Sequence, residues 1–460
     1  MQLNTYIRMA CISTFSLFSA ISYAQEKPWR LDQSIGLPDW LQVSFEHRTR
    51  YETLDQQYRG TVNGQAGNGG DQVLAFRTLV HAKADLEYVR LGAEMMDSRI
   101  ELVDAGSASS TTRLTPGIAN PLELLQAYIE VPVSNIGAED SYALLRAGRI
   151  TMDVGSRRLV ARNRFRNTIN AFTGLDWQWQ SGNRKFRAFY TLPVNRMVED
   201  DIKDNKPAFD QERTERRFWG IYYSQPLLTQ EDKGEFFLFG LDEEDGQNFA
   251  TKDRELYTFG FRLWRKPASK RFDYQLETVY QLGESRTSST ATTRLDHWAH
   301  FHHAELGYKF DAAWSPRLIA QFDYASGDDD ANDGQNNRFD TLYGARRFDF
   351  GPTSIYGAFA RSNLLTPALR LNLKPIKRLK TMFALRGYWR ASSSDSWVPA
   401  GINGQDAYIG TQVEARLRWE PLPNNLRIEA GVAHLFAGDL INQAGNSDST
   451  YAYTQASIKF

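Results

Sequence analysis

Arginine is concentrated in one short stretch of the chain. The segment GRITMDVGSRRLVARNRFRN, residues 148–167, holds six arginines and a single acidic residue, Asp153. The full chain of 460 residues carries 54 basic and 55 acidic side chains, so this excess is local. A guanidinium group binds a carboxylate through two parallel hydrogen bonds. The cluster therefore indicates binding or conduction of carboxylated anions, if the fold gathers these side chains in one space.

Hydrophobic alternation indicates which fold does so. In residues 41–52, Val43 and Phe45 alternate with Arg48 and Arg50, and the same period of two recurs at 408–420 and along the whole chain. Aromatic residues make up 13% of the chain and fall near the ends of the predicted strands, as in the girdles of outer-membrane barrels. No apolar run reaches the length of a membrane helix. In lipid, only a closed barrel satisfies the backbone of such strands.

We therefore predict an all-β, transmembrane antiparallel β-barrel of about 18 strands, an even number. The alternative is a soluble β-sandwich, which also alternates. The predicted polar faces mix arginine, glutamate, aspartate and glutamine, which is typical of a charged lumen rather than of a surface in bulk water. The sandwich is therefore the weaker prediction.

Both ends of the chain predict export to the outer membrane of a Gram-negative cell. Residues 1–24 have Arg8, an apolar run at 9–21 and then Ser22-Tyr23-Ala24, which predicts a signal peptide cleaved after Ala24 and a barrel over 25–460. The single cysteine, Cys11, would leave with that peptide. Phe460 ends an alternating strand and resembles the C-terminal insertion signal of outer-membrane barrels. The predicted partners are membrane lipid and the barrel-assembly machinery.

Gly- and Asp-rich stretches predict the connections between strands. Long extracellular loops are expected at 60–71, 106–116, 198–214, 283–293 and 327–337, and short periplasmic turns at 265–267, 311–313 and 421–425. Function should then lie on the side chains that face the lumen.

We predict that the arginines face the lumen, because an arginine on the lipid face costs about 2–4 kcal/mol at the bilayer midplane. A narrow ring of fixed positive charge attracts anions and repels cations. The predicted pore-lining residues are Arg48, Arg50, Arg77, Arg149, Arg157, Arg158, Arg370, Arg386 and Arg416. In the alternative reading, these arginines pair across the barrel with Glu46, Glu87, Glu94, Glu130, Glu277, Glu305 and Glu414, and stiffen it.

Several motifs resemble the alginate export family of outer-membrane barrels. They are Gly148-Arg149, GSRRLVARNRFRNTINAFTG at 155–174, Ser326-Gly327-Asp328 ahead of FDTL at 339–342, and RSNL at 361–364. The resemblance spans nearly the whole mature chain. It implies a monomeric barrel with an arginine-lined, electropositive pore, in a family whose founding member exports the polyanion alginate. Arg149, Arg157, Arg158 and Arg361 match the basic positions of the family motif, which adds Arg361 to the predicted pore lining.

Other residue groups predict weaker sites. Asp328, Asp330 and Asn332 resemble the first half of a calcium loop, but Asp333 stands where glycine is needed and Phe339 where a glutamate belongs. His297 and His303 fall on one strand face, and His300 and His302 on the other. Packing explains these histidines better than a metal does, and we expect no cofactor.

The predicted function is an anion-selective channel for an acidic, alginate-like polysaccharide or another carboxylated solute, and not an enzyme or a nucleic-acid binder. Two alternatives stay open. An outer-membrane enzyme acting on lipid would combine His300 or His302 with Ser285, Ser288 or Ser289. An adhesive or structural barrel would bind partners through its loops.

Overall fold

Eighteen antiparallel strands form one closed barrel in the computed structural model. The structure describes residues 28–56, 58, 61–62, 65–66, 71–103, 117–197, 202–397 and 401–460. Each strand pairs with the next along the chain, and β18 pairs with β1. The strands are β1 Leu41–Asp55, β2 Asp71–Leu86, β3 Val89–Glu101, β4 Asn120–Ser134, β5 Ser141–Ile150, β6 Phe172–Ser181, β7 Arg184–Pro193, β8 Arg216–Pro226, β9 Asp232–Glu243, β10 Glu255–Arg265, β11 Arg271–Ser285, β12 Leu295–Lys309, β13 Arg317–Ala325, β14 Leu364–Leu373, β15 Leu379–Trp389, β16 Tyr408–Leu422, β17 Leu426–Ala437 and β18 Ser449–Lys459. The predicted all-β barrel and its strand number are confirmed.

Alternation along the strands separates a lumenal face from an outer face. In β1, Arg48, Arg50 and Glu52 are buried inside the barrel. In β16, Val413 and Leu417 are exposed on the outside, between lumenal Glu414 and Arg416. Successive side chains of a strand point to opposite faces, so a local pattern determines this division. The result is an apolar outer wall that suits lipid and a polar inner wall.

The two ends of the barrel differ in their connections. At one end, the turn end, the connections between strands have at most seven residues, as at 310–316. At the other end, the loop end, they have at least nine, as at 286–294. The turns predicted at 265–267, 311–313 and 421–425 all lie at the turn end. Phe460 also lies there and exchanges backbone hydrogen bonds of 3.0 and 2.8 Å with Phe45, which extends the β1–β18 ladder.

Two long connections fold into the barrel. The first inward segment, 151–171, joins β5 to β6, and the second, 326–363, joins β13 to β14. They pair with each other inside the lumen: the amide of Tyr343 donates to the carbonyl of Leu159 at 2.9 Å, and that of Ala345 donates to Arg157 at 2.9 Å. The lumen is therefore occupied by protein at the depth where these two segments meet.

Apolar side chains pack the inward segments against the wall. Val154, Leu159 and Val160 of the first segment lie in one buried cluster with Phe218 and Phe239 of β8 and β9. The second segment contributes Phe350, Ile355, Tyr356 and Phe359 to another, which includes Leu54, Val73, Tyr388 and Tyr451. Burial of this area stabilises the inward path, because apolar surface contributes about 25 cal/mol per Å² removed from water.

Helix is scarce in the described residues. The α-helices are α1 Leu31–Ser34, α2 Arg347–Phe350 and α3 Asp439–Gln443, and a 3₁₀ turn covers Ile202–Asp204. None of the helices in the described ranges has the length and apolar character needed to span a membrane.

Several predicted segments fall in or near undescribed parts of the chain. The predicted signal peptide, 1–24, and the loop at 106–116 lie outside the described residues, as does most of the loop at 60–71. The predicted loop at 283–293 begins three residues later than expected, because β11 continues to Ser285. The region 327–337 opens the second inward segment.

Gly148 allows the close approach of β4 and β5. Its φ is +125°, and an added Cβ would lie 2.3 Å from the carbonyl oxygen of Ala127. We expect Gly148→Val to lower the free energy of unfolding by about 1–3 kcal/mol, because a branched side chain strains this backbone. Urea titration of the barrel in detergent measures the change. Ala147→Val, on the exposed outer face of the same strand, is the matched control. Equal stability of the two variants would contradict the interpretation.

Candidate functional site

Three of the predicted arginines hold the first inward segment against the wall. Arg48 donates to the carbonyl oxygens of Arg164 at 2.9 Å and Phe165 at 3.1 Å. Arg77 donates to the same Arg164 carbonyl at 3.1 Å, and Arg50 donates to the Phe165 carbonyl at 2.6 Å. All three wall arginines are buried. Their donors satisfy main-chain acceptors that would otherwise lie unpaired in the lumen.

Arg158 and Arg361 share one buried carboxylate. Asp349 of α2 accepts from Arg158 Nε at 2.9 Å and from Arg361 Nη2 at 2.6 Å. Arg158 also pairs with Glu277 of β11 at 2.6 Å, and Arg361 donates to the Arg158 carbonyl at 2.8 Å. This Asp349 network therefore ties the two inward segments to each other and to the wall.

The charge states in the network follow from its geometry. Burial by itself would raise the pKa of Asp349, but Arg158 and Arg361 beside it hold that pKa well below its ordinary value. Arg158 also donates to His303 Nε2 at 2.9 Å, which leaves Nδ1–H of His303 to donate to Asp323 at 2.7 Å. The network is ionised at its centre and fully bonded around this histidine.

One group in the described chain has metal-like spacing. The ligand atoms of His303, Asp323 and Asp349 lie within 4.8 Å of one another. The guanidinium groups of Arg158 and Arg361 already occupy the carboxylate of Asp349. We therefore assign this group to the ion-pair network.

The residues of the weak calcium candidate have different environments. Asp328 is buried and accepts the amide of Asn337 at 3.4 Å. Asp330 is exposed and accepts the amide of Asn332 at 3.0 Å, as in an ordinary turn. Calcium binding here stays a prediction.

Most of the remaining predicted arginines have carboxylate partners. Arg149 pairs with Glu123 and, at 2.8 Å, with Glu212. Arg370 pairs with Glu305, and Arg386 pairs with Glu414 at 2.7 Å. Of the glutamates in the alternative reading, six have an arginine partner: Glu46, Glu94, Glu130, Glu277, Glu305 and Glu414. Glu87 lies instead in the short turn between β2 and β3.

Arg157 and Arg416 form no ion pair within 4.0 Å of a carboxylate in the described part of the chain. Arg48 also lacks a carboxylate partner, but it donates to main-chain carbonyls instead. The Arg157 side chain is exposed, and its guanidinium carbon lies 5.3 Å from the centre of the Phe348 ring. Arg416 is half-buried on the lumenal face of β16. Both can therefore present their charge to a solute.

A vestibule of about 760 Å³ opens inside the turn end. Its lining contains seven basic side chains against four acidic ones. The basic ones are Arg30, Arg48, Arg77, Arg162, Arg164, Arg427 and Lys459, and the acidic ones are Asp32, Glu46, Glu94 and Glu420. Each of these four carboxylates has an arginine partner. The excess charge of the lining side chains is therefore positive.

A set of lysines at the same end was not among the predicted site residues. They occupy lumenal positions of strand ends, which we call the lysine ring: Lys185, Lys233, Lys309, Lys380 and Lys459. Their cross-strand neighbours include Ser224, Arg317, Arg418 and Glu46, which lie on the lumenal face. Among the described residues, none of the ring lysines has a carboxylate within 4.0 Å. Alternation alone could have found them, because each shares the period of a lumenal residue on its strand.

The serine and histidine groups proposed for a lipid enzyme do not come together. His300 and His302 lie on the outer face, 3.0 Å apart, and His302 bonds Thr278 at 2.8 Å. Ser285 instead contacts His297 at 3.1 Å on the lumenal face.

The Asp349 network should stabilise the docking of the two inward segments in the lumen. Asp349→Asn should destabilise their docking by about 3–5 kcal/mol, because it leaves buried guanidinium groups without their shared charge. Backbone hydrogen exchange at Tyr343 and Ala345, whose amides join the two segments, should become faster. Asp330→Asn, in an exposed part of the same connection, is the control. Unchanged exchange in Asp349→Asn would refute this role.

The wild-type network should also survive mild acid. A carboxylate with a depressed pKa contributes stability above its ordinary value of 3.8 and loses it only as the pH falls through the lower, folded value. Slow exchange at Tyr343 and Ala345 should therefore persist at pH 4 in the wild type.

Comparison with known proteins places this geometry in a family. The sequence profile described as alginate export matches residues 39–455, nearly the whole chain. A search of curated protein sequences finds no significant match.

Solved outer-membrane channels share the fold. OpdK of Pseudomonas aeruginosa, solved with vanillate, is similar with a TM-score of 0.60 at 12% identity, over 91% of this chain and 98% of that one. OccK3 (OpdO) of the same organism gives a TM-score of 0.58 at 13% identity, over 91% and 95%. OccAB1 of Acinetobacter baumannii gives 0.58 at 12%, over 95% and 98%. The closed barrel, its charged lumen and the profile match agree: the chain belongs to the alginate export family and is a porin-like β-barrel of the outer membrane.

Proposed function

We propose that this outer-membrane channel is anion-selective and passes an acidic, alginate-like saccharide or another carboxylated solute. One observation carries the proposal. The four acidic side chains of the turn-end vestibule are bound to arginines, whereas Arg157, Arg416 and the lysine ring have no carboxylate partner among the described residues.

The sign of the lumenal potential depends on unpaired charges. An ion pair has little field beyond a few ångströms, whereas an unpaired cation in a water-filled mouth attracts anions over about 8–10 Å at physiological ionic strength. Arg157 adds a planar fork that binds a carboxylate with two hydrogen bonds. Lysine suits a different task, since its ammonium is a compact, mobile point charge that does not hold a solute in one orientation. The mouth would thus attract anions without trapping them.

The comparisons support a carboxylated solute. The family is named for the export of alginate, a polyanion, and the similar structure of OpdK was solved with vanillate, itself a carboxylate. The shared chemical feature would be the carboxylate, for which Arg157, Arg416 and the lysine ring provide unpaired cations.

The barrel has an orientation in this proposal. Outer-membrane barrels have short periplasmic turns and longer extracellular loops, so the turn end and its vestibule face the periplasm. The signal peptide at 1–24 would direct export, and Phe460 would be read by the barrel-assembly machinery. The apolar outer wall contacts lipid, and the protein acts as a monomer without nucleic acid.

A passive channel explains the residues better than an enzyme does. The His300 and His302 side chains bond each other and Thr278, and neither contacts Ser285, Ser288 or Ser289. We therefore propose no catalytic activity. An adhesive barrel is a further alternative, and it predicts no selective conductance.

Replacement of unpaired lumenal cations tests the proposal. Purified protein in a planar bilayer, under a KCl gradient, should give a reversal potential that indicates anion preference. Combined Arg157→Glu, Lys380→Glu and Arg416→Glu should abolish or reverse that preference, because three unpaired cations become anions. Arg158 is unsuitable for this test, since its replacement would disrupt the Asp349 network.

Lys206→Glu is the matched control for the charge change. Lys206 is exposed in the connection 194–215 at the loop end, next to Asp204. This variant should keep the wild-type reversal potential, and all variants should keep the heat-modifiable gel migration of a folded barrel. No conductance, or a cation preference in the wild type, would overturn the proposed function.

A further inference from the structure

A second, smaller cavity lies at the loop end, away from the vestibule. It has a volume of about 280 Å³ and lies between the ends of β11 and β12 and the second inward segment. Its lining includes Lys252, Ser285, His297 and Asn336. None of these residues lines the vestibule, so the proposed selectivity does not use them.

A chain of hydrogen bonds holds the His297 ring and occupies one of its two nitrogens. The Asn336 amide oxygen accepts the backbone N–H of Arg338 at 3.2 Å, which orients its Nδ2 to donate to Ser285 Oγ at 2.9 Å. Ser285 Oγ is in turn hydrogen-bonded to His297 Nδ1 at 3.1 Å. Nε2 is therefore the ring nitrogen that is left for a ligand.

His297 Nε2 has no hydrogen-bond partner among the described residues. His297 is only 4% exposed, so bulk water does not solvate it freely. A buried polar atom without a partner costs about 1–3 kcal/mol, and such groups are rare in folded proteins. A ligand hydroxyl in the cavity, which can donate or accept, would remove this cost.

The cavity also contains one cation that lacks a partner. Four lining side chains are basic and two, Asp328 and Asp340, are acidic. Three of the cations are already paired: Arg254 with Asp340, Arg286 with Asp245 and Arg338 with Asp395. Lys252 forms no ion pair within 4.0 Å in the described part of the chain.

We propose that this cavity binds a small organic carboxylate, the size of one uronic acid unit, with its carboxylate on Lys252 and a hydroxyl group hydrogen-bonded to His297 Nε2. The ligand class rests on the proposed function, whereas the site itself rests on these contacts. Lys252 is an unpaired cation, which favours an anionic ligand, and a sugar hydroxyl can bond His297 Nε2 in either tautomer. The volume is near the lower limit of small-molecule pockets, about 300 Å³, which favours a single sugar ring over an oligomer.

Isothermal titration of the full-length protein in detergent, with sodium glucuronate as the probe, tests the site. The wild type should bind glucuronate at one saturable site and should bind glucose much more weakly. Lys252→Met and His297→Phe should each weaken glucuronate binding about tenfold or more, the loss expected when one charged or buried contact is removed. Ser285→Ala should also weaken it, because the His297 ring then loses the hydrogen bond that orients it.

Lys206→Met, another exposed lysine of the loop end, is the control and should bind like the wild type. No saturable binding in the wild type, equal binding of glucose, or an equal loss in Lys206→Met would each overturn the site. If His297→Phe does not fold, glucuronate binding by Lys252→Met alone tests the site. Reversal potentials separate this proposal from the channel proposal: Lys252→Met should keep the wild-type anion preference, and a site that fails this titration leaves the vestibule result unaffected.

Discussion

The carboxylate of Asp349, held between Arg158 and Arg361, joins parts of the chain that are far apart in sequence. Arg158 and Asp349 are 191 residues apart, and Arg158 also reaches Glu277 on the wall. Two guanidinium groups buried in a lumen would repel each other and lack solvation, so a shared carboxylate is needed to hold both in place. With the two inward segments docked in this way, the lumen is divided into a turn-end vestibule and a smaller loop-end cavity.

This division explains how a chain with almost no net charge can have an excess of unpaired positive charge in part of its lumen. The 54 basic and 55 acidic side chains do not cancel everywhere, because pairing is uneven. Lumenal glutamates such as Glu277, Glu305 and Glu414 are held by arginines that also anchor the inward segments. Their negative charge is neutralised where the barrel is packed. The lysine ring at the turn end keeps its positive charge, since its members have no carboxylate partner among the described residues.

Arginine and lysine therefore have different tasks in this barrel. Buried arginines such as Arg48 and Arg50 donate to main-chain carbonyls with several nitrogens at once, which suits the rigid fork of the guanidinium. Lys185, Lys233 and Lys380 lie at the turn end of the barrel, where an ammonium group can stay hydrated and pays little desolvation energy. Arginine content alone predicts the first group as pore-lining, although many of these arginines stabilise the packed inward segments instead. The lysines are dispersed along the sequence and form no cluster there, but they are better placed to attract a solute.

The sequence by itself determined the barrel, the lumenal or outer face of the strand side chains and the family. Alternation is a local property of a strand, so the positions of Arg48 and Arg416 on the lumenal face could be read from a few neighbouring residues. The motif at 155–174 likewise identified the family that the profile match supports. Only the tertiary structure decided which arginines are paired, because Arg158, Arg361 and Asp349 meet through two connections that fold back into the lumen. Local periodicity carries no information about such a path, which depends on apolar packing of Val160 and Phe359 against distant strands. The same holds for the Ser285–His297 contact, since it needed the register of β11 against β12.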